Sequence, residues 1–254
     1  MENTSAKTTA ETNGKIRIAA VADVHVREND KGKWVDYFKE ISNNADVLVI
    51  GGDLTDTGDE VEAQVLADEL KACTIPVVGV LGNHDHEKGR HKLIRKILQN
   101  ENVHILDGEA IVIKGVGFAG IKGFGGGFDK YMLSMFGEGA MKAFVQEAVD
   151  EALHLERALT RLEQEHENIK KVAVLHYSPI AETIQGEPEV IFPFLGSSRL
   201  AEPLDRKKVA VAFHGHAHAG KLEGTTINGV KVYNVAIPIL LKAGHTKPYI
   251  VVEV

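Results

Sequence analysis

The chain has 254 residues, 29 basic and 36 acidic side chains, a net charge of −7 and 44% hydrophobic residues. That acidic balance disfavours non-specific binding to nucleic acid or to an anionic membrane, and a single cysteine, Cys73, excludes an intrachain disulfide. Twenty-five glycines against seven prolines point to many tight turns between regular elements.

Residues 1–14 (MENTSAKTTAETNG) are polar and lack the apolar stretch of a secretory signal, so they read as a disordered tail before a single domain over 15–254. No apolar run approaches the ~20 residues that span a bilayer. With the lone thiol, this predicts a soluble, cytoplasmic protein with no membrane partner.

In chain order, residues 16–21 form a β-rich run that ends at Asp23. Residues 33–41 carry Trp34, Tyr37, Phe38 and Ile41 at helical spacing. A second strand over 47–50 ends at Gly51-Gly52-Asp53, and a helix follows over 60–72. A third strand over 76–81 ends at Gly82-Asn83-His84-Asp85, before a helix over 90–99. Three strand–loop–helix units in succession predict a parallel sheet with crossover helices.

The pattern then changes to short strands over 103–106, 110–114 and 116–121, with a tight turn at Lys114-Gly115. A long helix is expected over 139–165, with Phe144, Val145, Ala148, Ala152, Leu155, Leu159 and Leu162 as its apolar stripe. Further strands are expected over 172–175, 208–213, 221–227, 230–234 and 249–254. No internal repeat or low-complexity block divides the chain.

Five chemically capable groups fall at predicted strand ends. They are Asp23-Val24-His25, Asp53, Asn83-His84-Asp85, His176 and His214-Gly215-His216-Ala217-His218. Ligands of α/β sheets bind where strands end in loops. Carboxylate and imidazole donors without thiolates suit Mn, Fe, Zn or Co. Asp-x-His and His-x-His each put two donors on one side of an extended segment. Two cations roughly 3.5–4 Å apart need a shared anion, and Asp53, directly after two glycines, suits that place.

The ordered set DVH (23–25), GGDLTD (51–56), GNHD (82–85), His176 and GHAH (215–218) resembles the calcineurin-like metallophosphoesterase superfamily. The resemblance runs from Asp23 to His218. It implies an α/β fold of two packed mixed β-sheets flanked by helices, a four-layer α/β/β/α sandwich. It implies two divalent metal ions, one held by Asp23, His25, Asp53 and His218 and the other by Asp53, Asn83, His176 and His216. It also implies that His84 protonates the leaving group and that Asp85 orients His84 through its other ring nitrogen. The implied activity is hydrolysis of a small phosphomonoester or phosphodiester by a hydroxide shared between the metals. The alternatives are a metal-dependent nuclease, which needs a basic groove at odds with the charge, and a non-catalytic scaffold, at odds with a complete set of donors.

Other residues have two readings. Asp56 either steadies a metal-binding histidine or caps the next helix. His214 reads as a buried, hydrogen-bonded histidine and His86 as a loop residue. The glycines over 123–127 form either a lid beside the phosphate site or a hairpin turn. Residues 177–204 are long for a connection and begin just after His176, so they are expected to overhang the cleft. Tyr177 and Arg199 are the substrate-contact candidates there, with Thr183 and Glu187 beside them. Phe192-Pro193-Phe194-Leu195 is apolar enough for a homodimer contact.

Overall fold

Alternating strand faces dictate the architecture. In β1 (Arg17–Val21), Ala19 and Val21 join one apolar cluster while Ile18 and Ala20 join another. In β2 (Val47–Gly51), Leu48 and Ile50 part from Val47 and Val49 in the same way. A sheet that is apolar on both faces must be covered on both. The computed structural model describes residues 15–100 and 102–254, so the expected 1–14 tail lies outside the described residues.

The first sheet adds β3 (Val77–Val80), β4 (Val103–Ile105) and β11 (Ile250–Glu253) in the order β11-β1-β2-β3-β4. Its strands are parallel except β11, which pairs antiparallel with β1. The helices α1 (Val35–Asn44), α2 (Glu60–Leu70) and α4 (His91–Leu98) cover its outer face through Phe38, Ile41, Leu66, Leu70, Ile94 and Leu98. Asp59, not Asp56, caps α2: its carboxylate accepts from Val61 N at 3.0 Å, and Glu62 completes a capping box.

The second sheet runs β5 (Glu109–Ile113), β6 (Val116–Gly120), β7 (Lys170–Val174), β8 (Val211–His214), β10 (Lys231–Asn234) and β9 (Glu223–Thr225). Its inner strands are parallel, and its edges β5 and β9 pair antiparallel. Lys114 and Gly115 turn the β5–β6 hairpin, both with positive φ (50° and 79°). Phe118, Val172, Val174 and Phe213 face the first sheet, while Ala119, Ala173 and Ala212 face α5 (Gly139–Glu165). Leu155, Ala158, Leu159 and Leu162 are the stripe by which α5 covers that face. The layers are therefore helix, sheet, sheet and helix, as the resemblance implied. Among the described residues, no helix is long and apolar enough to cross a membrane.

The sequence pattern missed several short elements: α3 (Asn83–His86), α6 (Phe192–Leu195), α7 (Ala201–Arg206) and α8 (Ile237–Lys242). One or two turns are too short for an apolar period to mark them. The 177–204 segment also holds three 3₁₀ turns and packs on a small core of Phe128, Ile184, Leu195 and Ala217.

Candidate metal centre

Five strands of both sheets end at one cluster of polar side chains. Asp23 and His25 follow β1, Asp53 follows β2, and Asn83 and His84 open α3 after β3. His176 follows β7, and His216 and His218 follow β8. Three sets of donors lie close enough to share an ion: Asp23, His25 and His218; His25, Asp53 and His84; and Asp53, His176 and His216.

The backbone at this cluster is unusual. Asp23, His25, Asp53 and His216 all have left-handed φ, at 58°, 43°, 48° and 68°. Non-glycine residues adopt that region at a cost of roughly 1–3 kcal/mol each, and such strain collects at functional sites. Close approach also requires glycine at two neighbouring positions. A Cβ at Gly82 would strike the Asp53 carboxylate, and one at Gly215 would strike that of Asp23.

Asp53 sits between two groups of donors. Its Oδ2 lies 3.7 Å from His25 Nε2, and its Oδ1 lies 3.4 Å from His176 Nε2. The His84 amide donates to Oδ1 at 2.9 Å. On one side, His218 Nε2 is 2.9 Å and His25 Nε2 3.9 Å from Asp23 Oδ1. On the other, His176 Nε2 meets Asn83 Oδ1 at 2.8 Å.

Hydrogen bonds behind the rings leave the donor atoms facing inward. His176 Nδ1 pairs with Gly51 O at 3.0 Å, which directs Nε2 to the side of Asn83 and Asp53, and His216 Nε2 pairs with Phe194 O at 3.1 Å, which leaves Nδ1 as its metal-binding atom. His25 Nδ1 is buried without a hydrogen-bond partner, 3.6 Å from Asp56 Oδ1. Asp56 also accepts from Arg27 Nε at 2.9 Å, so of its two expected places it takes the one behind a histidine.

The electrostatics describe a site built around positive charge. Burial, then repulsion from Asp23 and Asp85, raises the Asp53 carboxyl to about 9. Burial also raises Asp23, but its hydrogen bond from His218 and the nearby imidazoles outweigh this and lower it overall. Burial lowers His25, His176 and His216, so they stand as neutral donors. His218 moves up, first through its bond to Asp23. Buried carboxylates that repel one another among neutral imidazoles fit divalent cations, because ligands bind deprotonated and a cation removes the repulsion.

The other predicted residues divide. His84 comes to the cluster, with its ring centroid 4.6 Å from that of His25 and its Nδ1 2.6 Å from Asp56 O. Asp85 does not orient the His84 ring, contrary to the expectation. Its fully buried carboxylate accepts from Leu54 N, Thr55 N, Thr55 Oγ1 and Gly82 N at 2.6–3.1 Å. It therefore ties the GDLTD loop to the GNHD turn, and the Asp56 carbonyl takes the place expected of it.

Tyr177 lines the cleft, its ring 4.4 Å from that of His216. Arg199 is engaged with the backbone of another loop: its Nη2 donates to Leu133 O at 2.9 Å. Thr183 and Glu187 are likewise engaged elsewhere, with His214 Nε2 at 2.8 Å and Ala219 N at 2.6 Å. His214 is fully buried and hydrogen-bonded, as expected.

Sequence reasoning passed over the walls of the cleft. Tyr177 and Phe124 stand between two concavities of about 400 Å³ each. One is aromatic. The other runs from Asn83 past His86 to Lys122 and Glu151. Lys122 Nζ lies 3.6 Å from Glu151 Oε1 and 5.0 Å above the Phe124 ring. Both residues left a trace in the sequence. Lys122 follows a predicted strand end like the metal donors, and Glu151 is a charge in the buried stripe of α5 between Ala148 and Leu155.

A family model described as calcineurin-like phosphoesterase matches residues 16–220. No curated protein is a significant match. Among solved structures, phosphopantetheinyl hydrolase from Mycobacterium tuberculosis is similar over 94% of this chain and 96% of its own, at 15% identity and a TM-score of 0.64. TT1561 of Thermus thermophilus is similar over 88% and 90%, at 16% identity and a TM-score of 0.56. GAP50, the anchor in the inner membrane complex of Plasmodium, is similar over 88% and 72%, at 14% identity and a TM-score of 0.51. At such identities these likenesses concern the fold.

Proposed function

Because the chain belongs to the calcineurin-like phosphoesterase family, we propose that its strand-end cluster holds two divalent cations and hydrolyses a small phosphomonoester or phosphodiester with water. The observation that carries this reading is Asp53, a buried carboxylate whose two oxygens face different donor groups. Asp23, His25, Asp53 and His218 would hold one cation, and Asp53, Asn83, His176 and His216 the other. The oxygen and imidazole donors suit Mn, Fe, Zn or Co. When bound, such cations lower the pKa of water at the site and neutralise charge on the phosphoryl oxygens.

The chain's own residues supply the rest. The hydrogen bonds to Gly51 O and Phe194 O fix the ring orientations of His176 and His216. The bond between His84 Nδ1 and Asp56 O turns His84 Nε2 toward the cluster. With the ring protonated at both nitrogens, Nε2 would give its proton to the departing ester oxygen, and the alcohol would leave as phosphate forms from a monoester or a phosphomonoester from a diester. Asp85 serves this step at one remove, by fixing the turn that carries His84. A nearby fold that belongs to a hydrolase by name supports the reading.

The test is to load the full chain with Mn²⁺, Fe²⁺, Zn²⁺ or Co²⁺ and assay p-nitrophenyl phosphate and bis-p-nitrophenyl phosphate. Turnover of either with close to two metals per chain is expected. No turnover with any metal, together with less than one metal per chain, would refute the proposal and favour a scaffold.

A further inference from the structure

The aromatic concavity begins at the metal cluster. Its inner end is the His216 ring, which lies against Tyr177 and bonds to the backbone carbonyl of Phe194. Its walls are Phe124, Phe144, Tyr177, Ile191, Phe194 and Leu195. The rings meet at angles that form a cup rather than a filled core. Phe124 and Phe144 are tilted by 55° at 4.9 Å, and Phe144 and Phe194 are edge-on at 6.0 Å. Among the described residues, no Asp, Glu, Lys or Arg lines it.

The neighbouring polar concavity differs. Its lysine and nearest carboxylate are committed to each other, and the Gly123 amide also donates to Glu151 at 2.6 Å. Those groups have less to offer a ligand. In the aromatic cup a ligand displaces only water from apolar surface, which is favourable for an apolar group. For a charged group, entry means losing hydration with no opposite charge on the lining to replace it, and the Tyr177 hydroxyl and the His216 ring are its polar groups.

We propose that this cup is the specificity pocket of the site and that it takes an uncharged, apolar organic group larger than a benzene ring, carried on the phosphoester bound at the metal cluster. The proposal rests on the phosphoesterase reading and adds the class of ester. Two features support a bulky group. The volume of about 400 Å³ lies within the usual range for small-molecule sites. The outer wall is Phe194, 59% exposed, so the cup opens outward rather than closing over a small ring.

The test compares three aryl phosphates whose phenols have comparable acidity: phenyl, 2-naphthyl and 4-carboxyphenyl phosphate. With the metal-loaded chain, kcat/KM for the naphthyl ester should exceed that for the phenyl ester about tenfold, and the carboxyphenyl ester should fall below both. Phe194→Asp, at an exposed position, should lower the naphthyl value about tenfold and abolish the preference. A naphthyl value no higher than the phenyl value, or a preference that survives Phe194→Asp, overturns the proposal. If none of the three esters is hydrolysed, the cup is judged by binding alone, and the phosphoesterase reading has failed only if p-nitrophenyl phosphate and bis-p-nitrophenyl phosphate are inert as well. Saturation-transfer NMR of 2-naphthol with the metal-free chain then decides. A transfer signal that disappears in Phe194→Asp supports the pocket, and no signal, or an equal signal from both proteins, overturns it.

Discussion

On the floor of the cleft, Asp23, His25, Asp53 and His216 leave their strands in left-handed backbone, whereas the wall residues Phe124, Phe144 and Phe194 lie outside that region. The floor also packs glycine backbone against its carboxylates, at Gly82 and Gly215. The wall is drawn from a loop, a long helix and a single turn, and its side chains are only partly buried. Strained, buried groups persist only where the surroundings over-determine them. The carboxylates of the floor are therefore held on several sides, whereas the aromatic side chains of the wall keep one side open to solvent. This difference separates the residues that set the chemistry from those that select the ester.

The largest expected effect falls on the floor. Asp53→Ala should abolish binding of both cations, read by metal analysis, and lower aryl phosphate turnover by more than about a thousandfold. The same residue should burden the metal-free fold. Its carboxyl is raised from 3.8 to about 9, mainly by burial and then by Asp23 and Asp85. A raised folded-state pKa gives stability that is complete below the unfolded value and is lost as pH rises through the folded one. Asp53→Asn should therefore raise the melting temperature in EDTA at pH 8 by several degrees, and by less at pH 5. An unchanged melting temperature at pH 8 would break the contrast with the wall, because the floor would then carry no electrostatic conflict.

His84 stands next in size. His84→Ala should keep both cations and lower kcat about 10²–10³-fold. The loss should be greater for phenyl phosphate than for p-nitrophenyl phosphate, since the more basic phenolate depends more on a donated proton. Full activity in the variant, or equal losses on the two esters, would refute the acid role.

The floor was legible in the sequence because its residues follow strand ends in short, ordered clusters. A short continuous apolar run announces the strand, and the next polar residue falls at the mouth of the sheet. The apolar patterning placed the strands and the three long covering helices α1, α2 and α5 near their bounds, while the arrangement of the strands in two packed sheets was implied by the resemblance. The wall was not legible as a unit, since its three phenylalanines are far apart in the chain: Phe124 lies in the glycine loop, Phe144 reads as part of a helix stripe and Phe194 as part of a dimer contact. Arg199 misled for a related reason: a cation in a cleft-side segment says nothing of its direction, and Leu133 O takes it. The resemblance implied that Asp85 orients the His84 ring, but on a helical turn adjacent side chains diverge, and its carboxylate goes to the backbone of a loop 30 residues away.

The smallest predicted effect concerns the support of the wall. Glu151 receives the Gly123 amide and lies beside Lys122, so it anchors the loop that presents Phe124. Burial raises its carboxyl from 4.5 to about 7, against the pull of Lys122 and of that amide. Folding then takes up a proton between these values. The contribution is complete below pH 4.5, declines as pH rises, and is lost above about 7. Glu151→Gln keeps an oxygen for the Gly123 amide but cannot titrate. Urea unfolding of both proteins from pH 4.5 to 8 should show the wild type losing up to about 3 kcal/mol relative to the variant across that window. Parallel curves would mean that Glu151 is already ionised at low pH and paired with Lys122 throughout. The wall would then be held by a permanent ion pair, and its aromatic cup would keep one shape across the pH range in which the floor changes charge.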